Sequence, residues 1–262
     1  MERKVVFEVV KEINEIRNQL SFSKRLGFFL GAGTSMALGI PGIIPLTEKV
    51  RENLNNKYRK NLERIETDLK TENHDAPNIE DILNQIRLIR QITRESSDKR
   101  YEGINGAEAK DLDSAICFKI YKILSEKENE IISNENNVLA TTERFFAWFN
   151  LLGIDYEKEI FTTNYDLIFE KALENLQLPY FDGFVGAYKP FFLPESLEPK
   201  DSKENPPLSW FRLWKMHGSL GWFWERSKRS KRMAVNKVIR LGVQAKKESE
   251  SGDEPTELVI YP

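Results

Sequence analysis

The sequence predicts an α/β fold: a Rossmann-like, mostly parallel sheet flanked by helices, with a helical insertion subdomain. Short apolar runs that end in glycine-rich or polar turns occur near the start of the chain and again in its second half. Helical periodicity fills the stretch between them. A chain of 262 residues is long enough to bury the core of such a domain.

The first part of the core is predicted from three neighbouring segments. Residues 5–20 carry apolar side chains at three- and four-residue spacing, which predicts an amphipathic helix. The apolar run 26–30 predicts a buried strand that ends in a Gly-Ala-Gly turn. Thr47 is the expected N-cap of a helix over 47–54.

Between about residues 55 and 150 the chain is rich in charge and predicts helices. Asn78 is placed to cap a helix with one apolar face, a second helix is expected around 114–124, and the segment 96–110 is expected to be mobile. We therefore predict a single domain over 1–262. In it, about 1–54 and 151–262 form the Rossmann-like core, and about 55–150 form the helical insertion.

The second part of the core is predicted to alternate helices and strands. The expected elements are a helix over 134–152, a strand over 159–162, a helix over 166–176, and one or two strands over 208–224 with a turn at His217-Gly218. A last strand is expected at 257–261. Because a fold rarely ends on an apolar strand, we expect a truncated chain, with further residues or domains beyond Pro262.

Composition narrows the classes of function. Lys plus Arg is 39 against 41 Asp plus Glu, so nothing global favours nucleic acid or an anionic membrane. One cysteine and two histidines argue against a disulfide, a zinc module or a histidine metal centre, so no metal is expected. The chain shows no signal peptide and no apolar run of about 20 residues, which predicts a cytoplasmic protein without a membrane span. The basic run 226–232 lacks interleaved aromatics and favours a solvated loop over a nucleic-acid patch.

The Gly-Ala-Gly turn is the first candidate binding element. Glycines at 31 and 33 let the backbone approach a pyrophosphate at a helix N-terminus, and Thr34 and Ser35 add hydroxyl donors. The full dinucleotide fingerprint is missing, because Met36 stands where its third glycine would fall. A glycine-rich turn without a ligand remains open.

Two further candidates follow later strands. Asn164, in the segment Thr-Thr-Asn-Tyr-Asp, lies where a predicted strand ends and can hydrogen-bond a ribose hydroxyl or hold a water molecule. Asp166 can cap the next helix, and Asn164 can equally be a turn residue. His217 sits at a glycine-bounded turn, where a neutral imidazole can act on a sugar hydroxyl, although it can also be a structural histidine. His74 receives no role.

Taken together, these segments resemble the sirtuin family, and more closely its bacterial sirtuin-like NAD-cleaving branch. Sirtuins carry a Gly-Ala-Gly-x-Ser loop that leads into Gly-Ile-Pro, matched by Gly31–Ser35 and Gly39–Pro41. Their Thr-x-Asn-x-Asp element is matched at 162–166, and their His-Gly pair at 217–218. The resemblance spans about residues 25–262.

Two departures separate this chain from the protein deacylases of that family. Those enzymes follow Gly-Ile-Pro with Asp-Phe-Arg, whereas this chain reads Gly42-Ile43-Ile44. They also hold zinc with four cysteines, whereas this chain has Cys117 alone. The helical insertion is similar to that of sirtuin-like antiphage defence proteins. For these proteins the resemblance implies hydrolysis of NAD to nicotinamide and ADP-ribose, which depletes the infected cell of NAD.

In that interpretation, NAD is the substrate and no metal takes part. Asn164 positions water or a ribose hydroxyl, and His217 acts on the ribose hydroxyls as a base or a hydrogen-bond partner. The expected cofactor-binding residues are Gly31, Ala32, Gly33, Thr34, Ser35, Thr163 and Asp166.

The sequence leaves other functions open, and it also leads to expectations about partners. The alternatives are a non-catalytic sensor of NAD or ADP-ribose and an NAD-dependent protein deacylase or ADP-ribosyltransferase. We expect a homo-oligomer, with the helices at 5–20 and 78–90 as candidate interfaces, and a partner ATPase or additional domains.

Overall fold

The computed structural model describes residues 8–22, 26–72, 76–133, 138–152, 156–188, 190–197, 206–226, 236–240 and 258–260. The helices are α1 (Val9–Phe22), α2 (Ala32–Met36), α3 (Ile43–Asn53), α4 (Asn56–Glu72), α5 (Ile79–Thr93), α6 (Gly106–Ile132), α7 (Ala140–Leu151) and α8 (Ile168–Asn175). The strands are β1 (Gly27–Leu30), β2 (Arg100–Tyr101), β3 (Ile104–Asn105), β4 (Lys158–Thr162), β5 (Tyr180–Phe181), β6 (Phe184–Val185), β7 (Phe191–Phe192), β8 (Phe211–Lys215), β9 (Gly218–Arg226), β10 (Asn236–Arg240) and β11 (Leu258–Ile260). A 3-10 helix covers Pro194–Leu197. Within these ranges, no helix is long and apolar enough to cross a membrane.

A parallel sheet of four strands, in the order β1-β4-β8-β5, forms the centre of the fold. All three of its pairings are parallel. Leu30 at the end of β1 lies opposite Thr162 at the end of β4, which lies opposite Lys215 at the end of β8. With helices packed against it, this sheet confirms the predicted Rossmann-like α/β fold.

A second sheet of five strands, in the order β11-β9-β10-β7-β6, is antiparallel and was not predicted. Strands β6 and β7 have two residues each, which is too short for an alternating pattern to show. The expected one or two strands over 208–224 are the two strands β8 and β9, and the turn between them lies at Met216 and His217, one residue before the expected His217-Gly218.

The core of the parallel sheet is aromatic on the side that α7 covers. Phe149 of α7 lies edge-on to Phe28 of β1 at 4.9 Å and to Phe211 of β8 at 5.5 Å between ring centroids. Phe29 points the other way and is 68% exposed. The expectation of a buried strand at 26–30 is therefore wrong in part: among the described strands, β1 pairs only with β4, so it is an edge strand with one exposed face.

The helices expected in the middle of the chain are present as α4, α5 and α6. Asn78 caps α5 through a capping box with Asp81, as predicted. The apolar face of α5 is fully buried in the protein's own core, so the prediction of an interface at 78–90 is wrong for that face. Four apolar side chains of α1 are each more than half exposed (Val9, Val10, Ile13 and Ile16), and an interface there stays a prediction.

Two local expectations are corrected by hydrogen bonds. The segment expected to be mobile at 96–110 forms the β2–β3 hairpin and the start of α6, which Asn105 caps through a capping box with Glu108. Thr47 does not cap a helix but lies within α3. Its hydroxyl donates to the Ile43 carbonyl at 2.7 Å and accepts from the Ile79 N–H at 2.9 Å, which joins α3 to α5.

Some expectations lie outside the described residues. They concern His74, residues 227–232 of the basic run, and whatever follows Pro262.

Candidate active site at the carboxyl edge of the parallel sheet

The three motifs singled out from the sequence follow three neighbouring strands of the parallel sheet. Gly31 follows β1, Thr163 follows β4 and Met216 follows β8, and the strand register places these positions at one level. Ligands of open α/β sheets bind at the carboxyl ends of the strands. The fold therefore brings together segments that lie more than 180 residues apart in the chain, from Gly31 to His217.

Asn164 ties the second motif to the first. Its amide Nδ2 donates to the Gly31 carbonyl at 3.2 Å, to Thr34 Oγ1 at 3.0 Å and to Ser35 Oγ at 2.8 Å. Its own N–H donates to Thr162 Oγ1 at 3.1 Å. The side chain thus holds the Gly-Ala-Gly turn with its nitrogen, and its amide oxygen is the group that can accept from a ligand.

Asp166 and the two hydroxyls of the first motif also bond within the protein. Ser35 Oγ donates to Asp166 Oδ2 at 2.7 Å, and the Ile168 N–H donates to Asp166 Oδ1 at 3.3 Å. Thr34 Oγ1 donates to the Gly31 carbonyl at 2.8 Å. These contacts stabilise the turn and the start of α8, whereas direct contact of these residues with a cofactor stays a prediction.

The two glycines of the turn are not required by its own conformation. Gly31 has an extended backbone with φ of −97°, and a side chain there would first meet Thr163 Oγ1 at 4.0 Å. A methyl group at Gly33, inside α2, would meet no described atom within 4 Å. Glycine within a helix lowers stability by about 1 kcal/mol relative to alanine, so its presence here needs a reason. Close approach of the protein backbone to a ligand phosphate is such a reason.

His217 is held at the opposite side of the same edge. The Met216 N–H donates to the Thr162 carbonyl at 2.8 Å, and the Leu220 N–H donates to the Tyr165 carbonyl at 2.9 Å, which fixes the turn between β8 and β9. The imidazole lies edge-on to Tyr165, 6.4 Å between ring centroids. Its Nδ1 is buried and has no hydrogen-bond partner among the described residues. A buried polar atom left unpaired is costly, so a ligand hydroxyl is a fitting partner.

Several of these groups, but not Gly31, Gly33 or Thr34, line a cavity of about 360 Å³, a size suited to part of a small-molecule ligand. The sheet edge contributes Ala32, Ser35, Thr163, Asn164, Tyr165, Asp166 and His217. The segment after α2 contributes Ile40, Pro41, Gly42, Ile43 and Leu46. The helical region contributes Asn78, Glu80 and Leu124, so the cavity lies between the sheet and the helices.

A buried ion pair that was not predicted from the sequence supports this edge. Lys215 Nζ lies 3.1 Å from Glu170 Oε1, and it also donates to the carbonyl oxygens of Asn164 and Asp166. Burial raises the pKa of Glu170 to about 7, although the Lys215 ammonium acts in the opposite direction. The available signal was a lysine at the end of a strand that carries Phe211, Leu213 and Trp214, two residues before His217.

Glu80 was also missed, because it belongs to the helical region and to no motif. Its Oε1 accepts a hydrogen bond from the Tyr165 hydroxyl at 3.0 Å. Burial, and then the Glu80 carboxylate, raise the pKa of that hydroxyl, which keeps it protonated as a donor.

The described residues contain no group of three or more His, Cys, Asp or Glu side chains arranged to hold a metal ion. Cys117 is buried in α6, where burial raises the pKa of its thiol. A buried and protonated thiol is a poor ligand or nucleophile.

The comparison with protein families agrees with this site. A family model described as SIR2-like domain matches residues 158–237, which include Asn164 and His217 but not the Gly-Ala-Gly turn. The chain is similar to that family over this segment, which supports a sirtuin-like domain and NAD-related activity in general. Among curated proteins, none matches the chain.

Proposed function

We propose that the protein is an NAD glycohydrolase that cleaves NAD to nicotinamide and ADP-ribose. One observation carries the proposal: Asn164 and His217 line the same cavity, beside the Gly-Ala-Gly turn at the carboxyl ends of neighbouring strands. The SIR2-like match over 158–237 supports the use of NAD.

The pyrophosphate is assigned to the turn at residues 31–35. The first turn of a helix presents N–H groups without intrahelical partners, and these attract anions. Ala32 and Gly33 are exposed, and the space in front of Gly33 is open. The hydroxyl protons of Thr34 and Ser35 point to protein acceptors, and the Thr34 N–H donates to the Gly31 carbonyl at 3.1 Å. The backbone N–H groups of Ala32 and Gly33 are therefore the expected phosphate donors.

The nicotinamide ribose is assigned to the cavity, where the reaction occurs. The C1′–N bond breaks and its electron pair leaves with nicotinamide, which is already cationic in NAD and needs no general acid. A water oxygen then bonds to C1′ of the oxocarbenium-like centre, and one of its protons is released. Asn164 Oδ1 orients the water or a ribose hydroxyl, and His217 bonds the ribose hydroxyls or accepts the proton.

The cellular role is a further part of the proposal. Depletion of NAD as the effector of an antiphage defence system, in a homo-oligomer or with a partner ATPase or further domains, fits the helical region and the sequence resemblance. Such an effector must stay inactive until triggered, since constant NAD cleavage would harm its own cell. The arrangement as one domain over 1–262, with a helical insertion at about 55–150, is part of the same proposal.

The test is release of nicotinamide and ADP-ribose from NAD by the wild type, Asn164→Ala and His217→Ala. The full-length protein is assayed together with the products of the neighbouring genes, so that an activating partner is present. We expect release by the wild type and loss of about 10²-fold or more in His217→Ala, as for a general base. His74→Ala, which changes the chain's other histidine, is the matched control.

Two results would contradict the proposal. Tight NAD binding without release by the wild type under these conditions would favour a sensor of NAD or ADP-ribose. Release of an acyl group from acyl-lysine peptides at the expense of NAD would favour a deacylase.

A further inference from the structure

Among the described lining residues, Glu80 is the one through which the helical region presents a charge to the cavity. It is the second residue of α5, and its N–H donates to the capping Asn78 Oδ1 at 2.8 Å. Its carboxylate accepts from the Tyr165 hydroxyl, and Tyr165 stands between Asn164 and Asp166 in the second motif. The residue is therefore held at its backbone by its own helix cap and at its carboxylate by the sheet edge.

The described lining of the cavity supplies no cation for this carboxylate. Among the described lining residues there is no lysine or arginine, and the acidic ones are Glu80 and Asp166. Both oxygens of Asp166 accept from the protein, and Lys215 pairs with Glu170 outside the lining. No lysine or arginine among the described residues forms an ion pair with Glu80, and the Arg87 guanidinium, which acts electrostatically on the Tyr165 hydroxyl, is paired with Asp113. A carboxylate in a partly enclosed space raises the local concentration of cations and repels anions.

This charge pattern suits one end of NAD and not the other. The oxidised nicotinamide ring carries a positive charge, whereas the reduced ring is neutral and the pyrophosphate is anionic. We propose that Glu80 is a specificity-determining residue that favours the cationic nicotinamide ring of NAD⁺ over the neutral ring of NADH. This inference rests on the proposed function, and it adds a residue from the helical region to the site.

The experiment measures affinities for NAD⁺, NADH and ADP-ribose by calorimetry in a His217→Ala background, so that NAD⁺ is not consumed. We expect Glu80→Gln to weaken NAD⁺ binding on the order of tenfold, a loss of one carboxylate–cation interaction, while NADH and ADP-ribose binding hardly change. Glutamine still accepts from the Tyr165 hydroxyl, and Glu80→Asp keeps the charge and is expected to restore most of the preference.

Glu174→Gln is the matched control. Glu174 is an exposed carboxylate that also accepts from a tyrosine hydroxyl, that of Tyr180, at 3.1 Å. It does not line the cavity, so its substitution is expected to leave the NAD⁺/NADH ratio unchanged. Thermal unfolding of each variant shows that the fold is retained.

The outcomes separate this inference from the proposed function. Equal changes in NAD⁺ and NADH affinity, or no change, in a folded Glu80→Gln variant would overturn the role of Glu80 while leaving NAD cleavage intact. If the His217→Ala protein binds neither NAD⁺ nor ADP-ribose and the wild type releases no nicotinamide, the proposed function fails and this inference fails with it.

Discussion

The cavity has two walls that differ in construction. One is formed by the sheet edge and the other by the helical region. At the sheet edge, Asn164, Ser35 and Asp166 bond to one another, and a buried lysine supports the loop that carries them. On the helical side, Glu80 is held by one helix cap and one tyrosine hydroxyl. Three interlocked motifs define the first wall. In the second, Glu80 is the one charged residue among the described lining residues, and its proposed role comes from its position and charge.

This difference predicts that the two walls respond differently to substitution. Changes beneath the sheet edge should reduce the stability of the whole domain. Changes on the helical side should mainly alter the choice of ligand. Four substitutions, taken from the largest expected effect to the smallest, test this contrast.

Lys215→Met should have the largest effect on stability. Above the pKa of Glu170, which is about 7, it leaves the buried carboxylate without its cation and removes a donor to the Asn164 and Asp166 carbonyls, a loss of about 3–5 kcal/mol for a broken buried pair. Urea unfolding measures this loss in the free energy of unfolding. Lys57→Met, which breaks the exposed pair with Asp111, is the control and should cause little change. Similar losses in both variants would contradict the supporting role of Lys215.

Glu170→Gln should change how stability depends on pH. Because the pKa of Glu170 is raised from 4.5 to about 7, the folded state holds this proton more tightly than the unfolded chain. Its contribution to stability is therefore fully present below about pH 4.5 and is lost as pH rises to about 7, a fall of about 3 kcal/mol. Unfolding of the wild type and the variant between pH 4.5 and 7.5 measures the difference. Parallel curves would show that Glu170 does not titrate in this range.

Gly33→Ala should separate binding from folding. The added methyl group meets no described atom within 4 Å, so the domain should be as stable as the wild type or slightly more so. NAD binding should weaken on the order of tenfold if the pyrophosphate approaches this backbone closely. Gly27→Ala, on the strand before the turn, is the control and should not affect binding. Unchanged NAD affinity in Gly33→Ala would show that the pyrophosphate does not bind at this turn.

Asn78→Ala should have the smallest effect, and it tests the helical wall alone. Loss of the α5 cap lowers the free energy of unfolding by about 1 kcal/mol. It also frees the backbone that carries Glu80, so the preference for NAD⁺ over NADH should fall a fewfold. Asn105→Ala removes the equivalent capping box of α6, away from the cavity. It should cost similar stability without a change in preference. A shift in preference for both variants would point to a global effect.

The same contrast explains what could be predicted from the sequence. The parallel sheet and the meeting of Gly31, Asn164 and His217 were predictable, because each motif directly follows an apolar run that forms a strand. Glu80 was not predictable, because a helix-capping segment looks the same whether or not a cavity lies beside it. The Lys215–Glu170 pair was not predictable either, because a local sequence pattern does not show that β8 lies beside α8.

The edge position of β1 was missed for a related reason. Apolar residues on both faces of a short strand predict a strand covered on both sides, yet Phe29 is exposed. Strand order is set by contacts between distant segments, and a local pattern does not contain it. The antiparallel second sheet escaped prediction because two of its strands have two residues each.

The central claim is that NAD binds with its nicotinamide ribose in the cavity between the two walls. A crystal structure of His217→Ala soaked with NAD⁺ tests it most directly, because slow cleavage leaves the ligand intact. The account predicts the pyrophosphate at the backbone of residues 31–33, the ribose beside Asn164, and the nicotinamide ring on the Glu80 side. NAD⁺ bound elsewhere, or with its adenine end in the cavity, would contradict it.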